Sequence, residues 1–181
     1  MSLELLDIMD ENDIPTGEVK SREEVHREKK DWHRTVSIWI VNEQGQFLCQ
    51  QRSWKKDGNP GMWQSFFGGH MKSGQTIEVC LREELLEEIG IDIRETAEQP
   101  VFLYRGIGSV NKHFSYYYIL HWDGTLAETS FNDGEVEQAA WLSLQELRSR
   151  MKSGEFCNEM SEKVLEYLRE QGIFFSDVVR G

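Results

Sequence analysis

The chain predicts an α/β fold of the α+β kind, an α/β/α sandwich built on a mixed sheet. Three observations predict it. Short β-patterned runs, among them 34–41 and 46–51, precede one central amphipathic helix. Further strand patterns follow that helix, and two helical patterns come last. Strands on either side of a single central helix need helices on both sheet faces to bury them.

Residues 3–9 (LELLDIM) alternate weakly and read as a strand; 10–13 and 15–17 are turns, and 18–20 a short return strand. Ser21 caps a short helix over 21–27. Residues 34–41 (RTVSIWIV) form a strand, joined by the turn Asn42-Glu43-Gln44-Gly45 to its partner, 46–51 (QFLCQQ). Residues 52–61 are a polar loop, and 62–67 bring aromatics to the sheet. The central helix spans 76–89. Thr76 is its N-cap, Glu78 sits in the favoured first turn, and Gly90 stops it. Leu81, Leu85 and Ile89, spaced by four, are its buried stripe.

Strands follow at 100–107 and 112–122, then the turn Asp123-Gly124, a loop at 131–135 and a last strand at 137–142. Ser143 caps a helix over 143–151. A second helix spans 158–171, with Met160, Val164, Leu165 and Leu168 as its stripe. In the peripheral tail, Phe174 and Phe175 are candidates to dock on the core or a partner.

At 181 residues one domain over 1–181 is expected, with 1–33 as a hairpin and short-helix extension and 143–171 as the C-terminal helices. Acids outnumber Lys plus Arg by 32 to 20, giving −12, and no basic tail exists. That balance excludes non-specific nucleic-acid binding. No apolar run approaches the roughly 20 residues of a membrane span. Cys49, Cys80 and Cys157 are too widely spaced for a metal pair or a disulfide framework, so a reducing cytoplasm fits. A homodimer is left open.

Residues 69–91 read GHMKSGQTIEVCLREELLEEIGI. Glu84, Glu87 and Glu88 stand at i, i+3 and i+4, on one helical face. Like charges so placed destabilise a bare helix. A hard divalent cation would neutralise them and bind phosphate oxygens in turn.

The run resembles the Nudix box: G, five residues, E, seven residues, then R-E-U-x-E-E-x-G-U, with U a bulky aliphatic. Gly69, Glu84, Leu85, Glu87, Glu88, Gly90 and Ile91 match it. Gln75 stands where the first Glu is expected, and Glu83 where the Arg is expected. Arg82, one residue earlier, lies about 100° round the helix and is no simple replacement. The E-x-x-E-E core is intact; the departures concern its supporting shell.

The resemblance implies a Nudix-type sandwich and a Mg²⁺ (or Mn²⁺) cofactor. It also implies hydrolysis of a phosphoanhydride bond in a small diphosphate, such as a nucleoside diphosphate linked to another moiety. Glu84 and Glu88 would be the principal metal ligands, and Glu87 a ligand or proton acceptor. Family members often add a carboxylate from a loop after the box. Asp133, Glu135 and Glu137 are candidates, with Glu135 favoured for its place ahead of the last strand. Arg52, Lys55, Lys72 and Arg105 are candidates to hold phosphate oxygens, Arg52 foremost.

The first hundred residues also resemble type 1 isopentenyl-diphosphate isomerase, through LLDIMDENDIPTGEVKSREEVH, WHRTVSIWIVNEQGQFLCQQRS and GMWQSFFGGH. In that enzyme three histidines bind a metal and a cysteine beside the G-H pair handles protons. His26, His33 and His70 fall on the histidine positions, a candidate second metal cluster. The cysteine position is Gly68, and 110–112 reads Val110-Asn111-Lys112 where the isomerase carboxylates are expected. The chain therefore reads as an isomerase-like hydrolase, with isomerisation and non-catalytic ligand binding as the competing functions.

Overall fold

Strand β3 (His33–Val41) is the spine of the sheet because its side chains are apolar on both faces. Val36, Ile38 and Ile40 enter one core cluster with Leu81 and Leu85 of the central helix α2 (Ile77–Glu88) and with Ile89, its C-cap. Trp39 and Val41 enter a second, with Leu147 of α3 (Leu144–Lys152) and Val164, Leu165 and Leu168 of α4 (Glu162–Glu170). Two helical layers thus cover the sheet, as the sandwich requires. The structure, a computed structural model, describes residues 4–56, 58–96, 98–108, 112–131 and 134–172. Val110, Asn111, Asp133, Phe174 and Phe175 lie outside the described residues.

The sheet is mixed. Its order is β5 (Trp63–Gln64), β4 (Phe47–Arg52), β3, β7 (His113–His121), β6 (Val101–Gly108), and β8 (Val136–Leu142) also pairs β4. β3 and β7 run parallel; the other pairs are antiparallel. β3 and β4 meet through Val41 and Phe47 and then part. The segment leading to the box takes the vacated edge of β3. Ile38 N donates to Phe67 O at 2.8 Å, Val36 N to Gly69 O at 2.9 Å and Met71 N to Arg34 O at 3.0 Å. This wedge sets Gly68 to His70 at the mouth of the sheet, beside α2.

Thr76 caps α2 as expected, its Oγ1 accepting from Val79 N at 3.3 Å. Gly90, at φ 78°, turns the chain out of the helix in the left-handed region that favours glycine. At the other end of the box loop stands the hairpin of β1 (Leu5–Met9) and β2 (Pro15–Ser21), followed by α1 (Arg22–Glu28). The hairpin grips that loop. Asp7 accepts from Ser73 Oγ at 2.6 Å and from Gly74 N at 3.0 Å, and Ser73 N donates to Leu5 O at 2.7 Å.

One expected element is shorter than its pattern. The last helix begins at Glu162 rather than at 158. Residues before it are pinned beside β5: Cys157 N donates to Trp63 O at 2.9 Å, and Asn158 Oδ1 accepts from Ser65 N at 3.1 Å. Among the described residues, no helix is long and apolar enough to cross a membrane.

Candidate active site

Helical spacing and the wedge bring the acidic face of α2 to one pocket of about 260 Å³. Glu88 is buried, at 5% exposure. Its Oε2 accepts from Gly68 N at 2.8 Å and from Gln50 Nε2 at 3.3 Å, so its carboxylate is oriented in advance. Glu84 is half-buried against Gly69, where a Cβ would lie 2.6 Å from its carboxylate oxygens. Glycine at 69 is what lets that side chain lie flat on the backbone. Burial, then the neighbouring charge of Glu87, pushes the Glu84 carboxyl up to about 7. Glu87 is exposed and lines the same pocket. An unfavourable carboxylate beside two others is the environment a divalent cation relieves, so the donor set fits Mg²⁺ or Mn²⁺.

Cations line the same pocket. Arg52 lines the pocket, its Nε donating to Gly58 O at 3.0 Å and its Nη1 to Gln64 Oε1 at 2.9 Å. Both partners are neutral, so its charge is not spent on a carboxylate. Lys72 also lines the pocket, 3.2 Å from Glu83 Oε2. Burial alone would lower its ammonium; the Glu83, Glu87 and Glu84 carboxylates together outweigh that and raise it. Glu135 reaches the pocket from the residue ahead of β8, and its carboxylate pairs with Lys56.

Two expected phosphate ligands lie elsewhere. Lys55 is exposed and does not line the pocket; its neighbour Lys56 does. Arg105, on the edge strand β6, donates to Asp13 at 2.9 Å and stacks 4.9 Å over Phe114. It locks the hairpin to the sheet with Arg34 and Tyr116, which bind the same Asp13. Sequence reasoning missed Lys56, Arg22 and Gln50. Arg22 lines the pocket from α1, four residues before His26, and that spacing was the available signal.

His26, His33 and His70 converge from α1, β3 and the wedge. One ring nitrogen from each lies within 4.8 Å of the others, and His26 Nε2 is 3.0 Å from His70 Nε2. His33 is buried, and among the described residues neither of its ring nitrogens makes a well-formed hydrogen bond. Burial lowers all three imidazoles, His33 to about 4 and His70 well below its usual value. They are therefore neutral at pH 7 and offer lone pairs, as metal ligation needs. His70 lines the pocket that holds Glu84.

A larger cavity, about 610 Å³, opens between Gly90 and Trp122. Its lining includes Asp92, Glu95 and Glu98 but neither Arg nor Lys, so it repels phosphate.

The NUDIX domain family matches residues 31–160. A Nudix hydrolase of Deinococcus radiodurans is 28% identical, covering 94% of this chain and 98% of its own. Isopentenyl-diphosphate Delta-isomerase of Klebsiella pneumoniae (strain 342) is 30% identical over 148 residues, 80% of this chain and 78% of that one. A crystal structure from Deinococcus radiodurans superposes with a TM-score of 0.70 at 26% identity, over 92% of this chain and 98% of that one. Nudix hydrolases generally use divalent metal cations. With its family region spanning the whole acidic helix and the sheet that carries it, this chain belongs to the Nudix family and is a Nudix hydrolase.

Proposed function

We propose that the protein is a Mg²⁺-dependent hydrolase of a small diphosphate, cleaving a phosphoanhydride bond in a nucleoside diphosphate linked to another moiety, or a similar compound. One observation carries this reading: Glu84, Glu87 and Glu88 open with Arg52, Lys56 and Lys72 into one pocket. Glu84 and Glu88 would hold Mg²⁺, with Glu87 a further ligand. Bound there, the ion would screen the phosphate charge that repels an incoming water.

The chain's own groups supply the rest. Arg52 grips a phosphate oxygen without first giving up a carboxylate. Gly68 N and Gln50 hold Glu88 in place, so its carboxylate does not reorganise as charge develops. Glu135 lines the pocket from the residue ahead of β8 and accepts a proton from the attacking water. His26, His33 and His70 would hold a second, borderline cation such as Zn²⁺ beside the first.

Isomerisation is disfavoured by Gly68. Its φ is 138°, and a Cβ there would lie 2.1 Å from Val36 O. The position where the isomerase carries its cysteine thus has no room for any side chain in this backbone. The test is a panel of diphosphates with and without Mg²⁺, repeated with Glu88→Gln. Metal-dependent cleavage of the phosphoanhydride into its two monophosphate products, lost in the variant, supports the reading. Undiminished turnover in the variant, or hydrogen exchange into isopentenyl diphosphate, overturns it.

A further inference from the structure

We propose that the Lys56–Glu135 ion pair is a latch that an arriving phosphate opens. The inference rests on the function proposed above and assigns Lys56 a role in it. Arg52, the last residue of β4, and Lys56, four residues on, both line the pocket. Arg52 is anchored to neutral oxygens, whereas the ammonium of Lys56 is held on the Glu135 carboxylate. Lys56 is largely buried and Glu135 is more exposed, with side chains 19% and 41% accessible. The two loops are also joined through the backbone, Ser53 N donating to Glu135 O at 2.8 Å. The pair can therefore open and re-form without the loops separating.

A phosphate gripped by Arg52 brings a denser negative charge within reach of Lys56 than one carboxylate offers. Lys56 moves to the phosphate, and Glu135 is released from it toward the pocket. Lys56 is thus a positioning residue: it holds Glu135 back in the absence of substrate and lets it go when substrate arrives.

The probe is methylenediphosphonate, whose P–C–P bridge water does not cleave, titrated with Mg²⁺ into the whole protein by calorimetry. Wild type, Lys56→Met, Glu135→Gln and the double variant form a cycle, each first checked for an unchanged melting transition. Glu135→Gln is expected to tighten the analogue about fivefold when Lys56 is present, and by less than about 1.5-fold in the Lys56→Met background. Lys56→Arg should restore the coupling. Equal tightening in both backgrounds would show plain charge repulsion and overturn the latch. Failure of the wild type to bind the analogue would overturn it too. If the cycle shows coupling while no diphosphate is hydrolysed, the latch stands and the hydrolytic reading falls.

Discussion

Gln75 Nε2 donates to Glu83 Oε2 at 2.7 Å. The two positions that depart from the Nudix box are therefore partners. Lys72 completes the group: its backbone N donates to Gln75 Oε1 at 2.8 Å, and its Nζ lies 3.2 Å from Glu83. The box pattern places an acid first and a base second. Here the first position donates, the second accepts, and Lys72 supplies the positive charge. Because Glu83 precedes Glu84 on α2, the group steadies the start of the acidic face, with Lys72 at the pocket wall.

Single exchanges toward the box pattern should thus be harmful and the pair benign. Gln75→Glu alone sets two carboxylates against each other; Glu83→Arg alone sets a guanidinium against Lys72. Each is expected to cost about 0.5–1 kcal/mol, the groups being partly exposed. The double variant should recover at least about 0.5 kcal/mol of the summed loss. Urea unfolding of the four proteins measures this, and strictly additive costs would refute the partnership.

Glu84→Gln should change sign with metal. Without a cation the folded protein holds the Glu84 proton to about pH 7, while the unfolded chain releases it near 4.5. Between those values the folded state binds more protons, so this group's stabilisation is full below 4.5 and is lost as pH rises through 7. The loss is up to about 3 kcal/mol. Glutamine does not titrate. In chelator, the variant should gain on wild type from pH 5 to pH 8. With Mg²⁺ at pH 8, wild type should be the more stable. Melting temperatures that keep one order throughout would remove Glu84 from the metal site.

Much of this was legible because it is periodic. The two apolar faces of β3, the Leu81-Leu85-Ile89 stripe and the acidic face of α2 all follow from repeats of two or 3.6 residues. Ser21, Thr76 and Ser143 cap their helices as their residue types predict. What was not legible lacks a period or depends on distant partners. Nothing local decides that Lys56 rather than Lys55 turns inward. Arg105 is claimed by Asp13, 92 residues away in sequence, across a hairpin whose placement no local pattern reveals. The late start of α4 has the same cause, since Ser65 and Trp63 hold residues 157 and 158 by hydrogen bonds outside any helix.

Arg52 and Lys55 should separate cleanly in kinetics. Arg52 faces the pocket and Lys55 does not. On any diphosphate that the protein turns over, Arg52→Ala should raise KM about tenfold or more, the loss of a charge-assisted contact. Its kcat should fall less than about threefold if the contact is uniform between bound substrate and transition state. Lys55→Ala should stay within about twofold on both. An equal effect from Lys55→Ala would mean that the loop turns over when substrate binds.

The three histidines should bind a transition metal independently of the glutamates. Co²⁺ reports this, because imidazole ligation gives it visible absorption. In a Glu84→Gln/Glu88→Gln background, about one Co²⁺ per chain is expected at His26, His33 and His70. His26→Ala should abolish the band; His26 is half-buried, so its loss leaves less of a cavity than truncating the buried His33. Because burial lowers all three imidazoles, protons compete for their nitrogens only at unusually low pH. Affinity should therefore hold level down to about pH 6, where exposed imidazoles near 6.5 would already be losing metal. A Co²⁺ band that survives His26→Ala, or one that fades between pH 7 and pH 6, would show that the ion sits on other ligands and that the cluster is held together by packing alone.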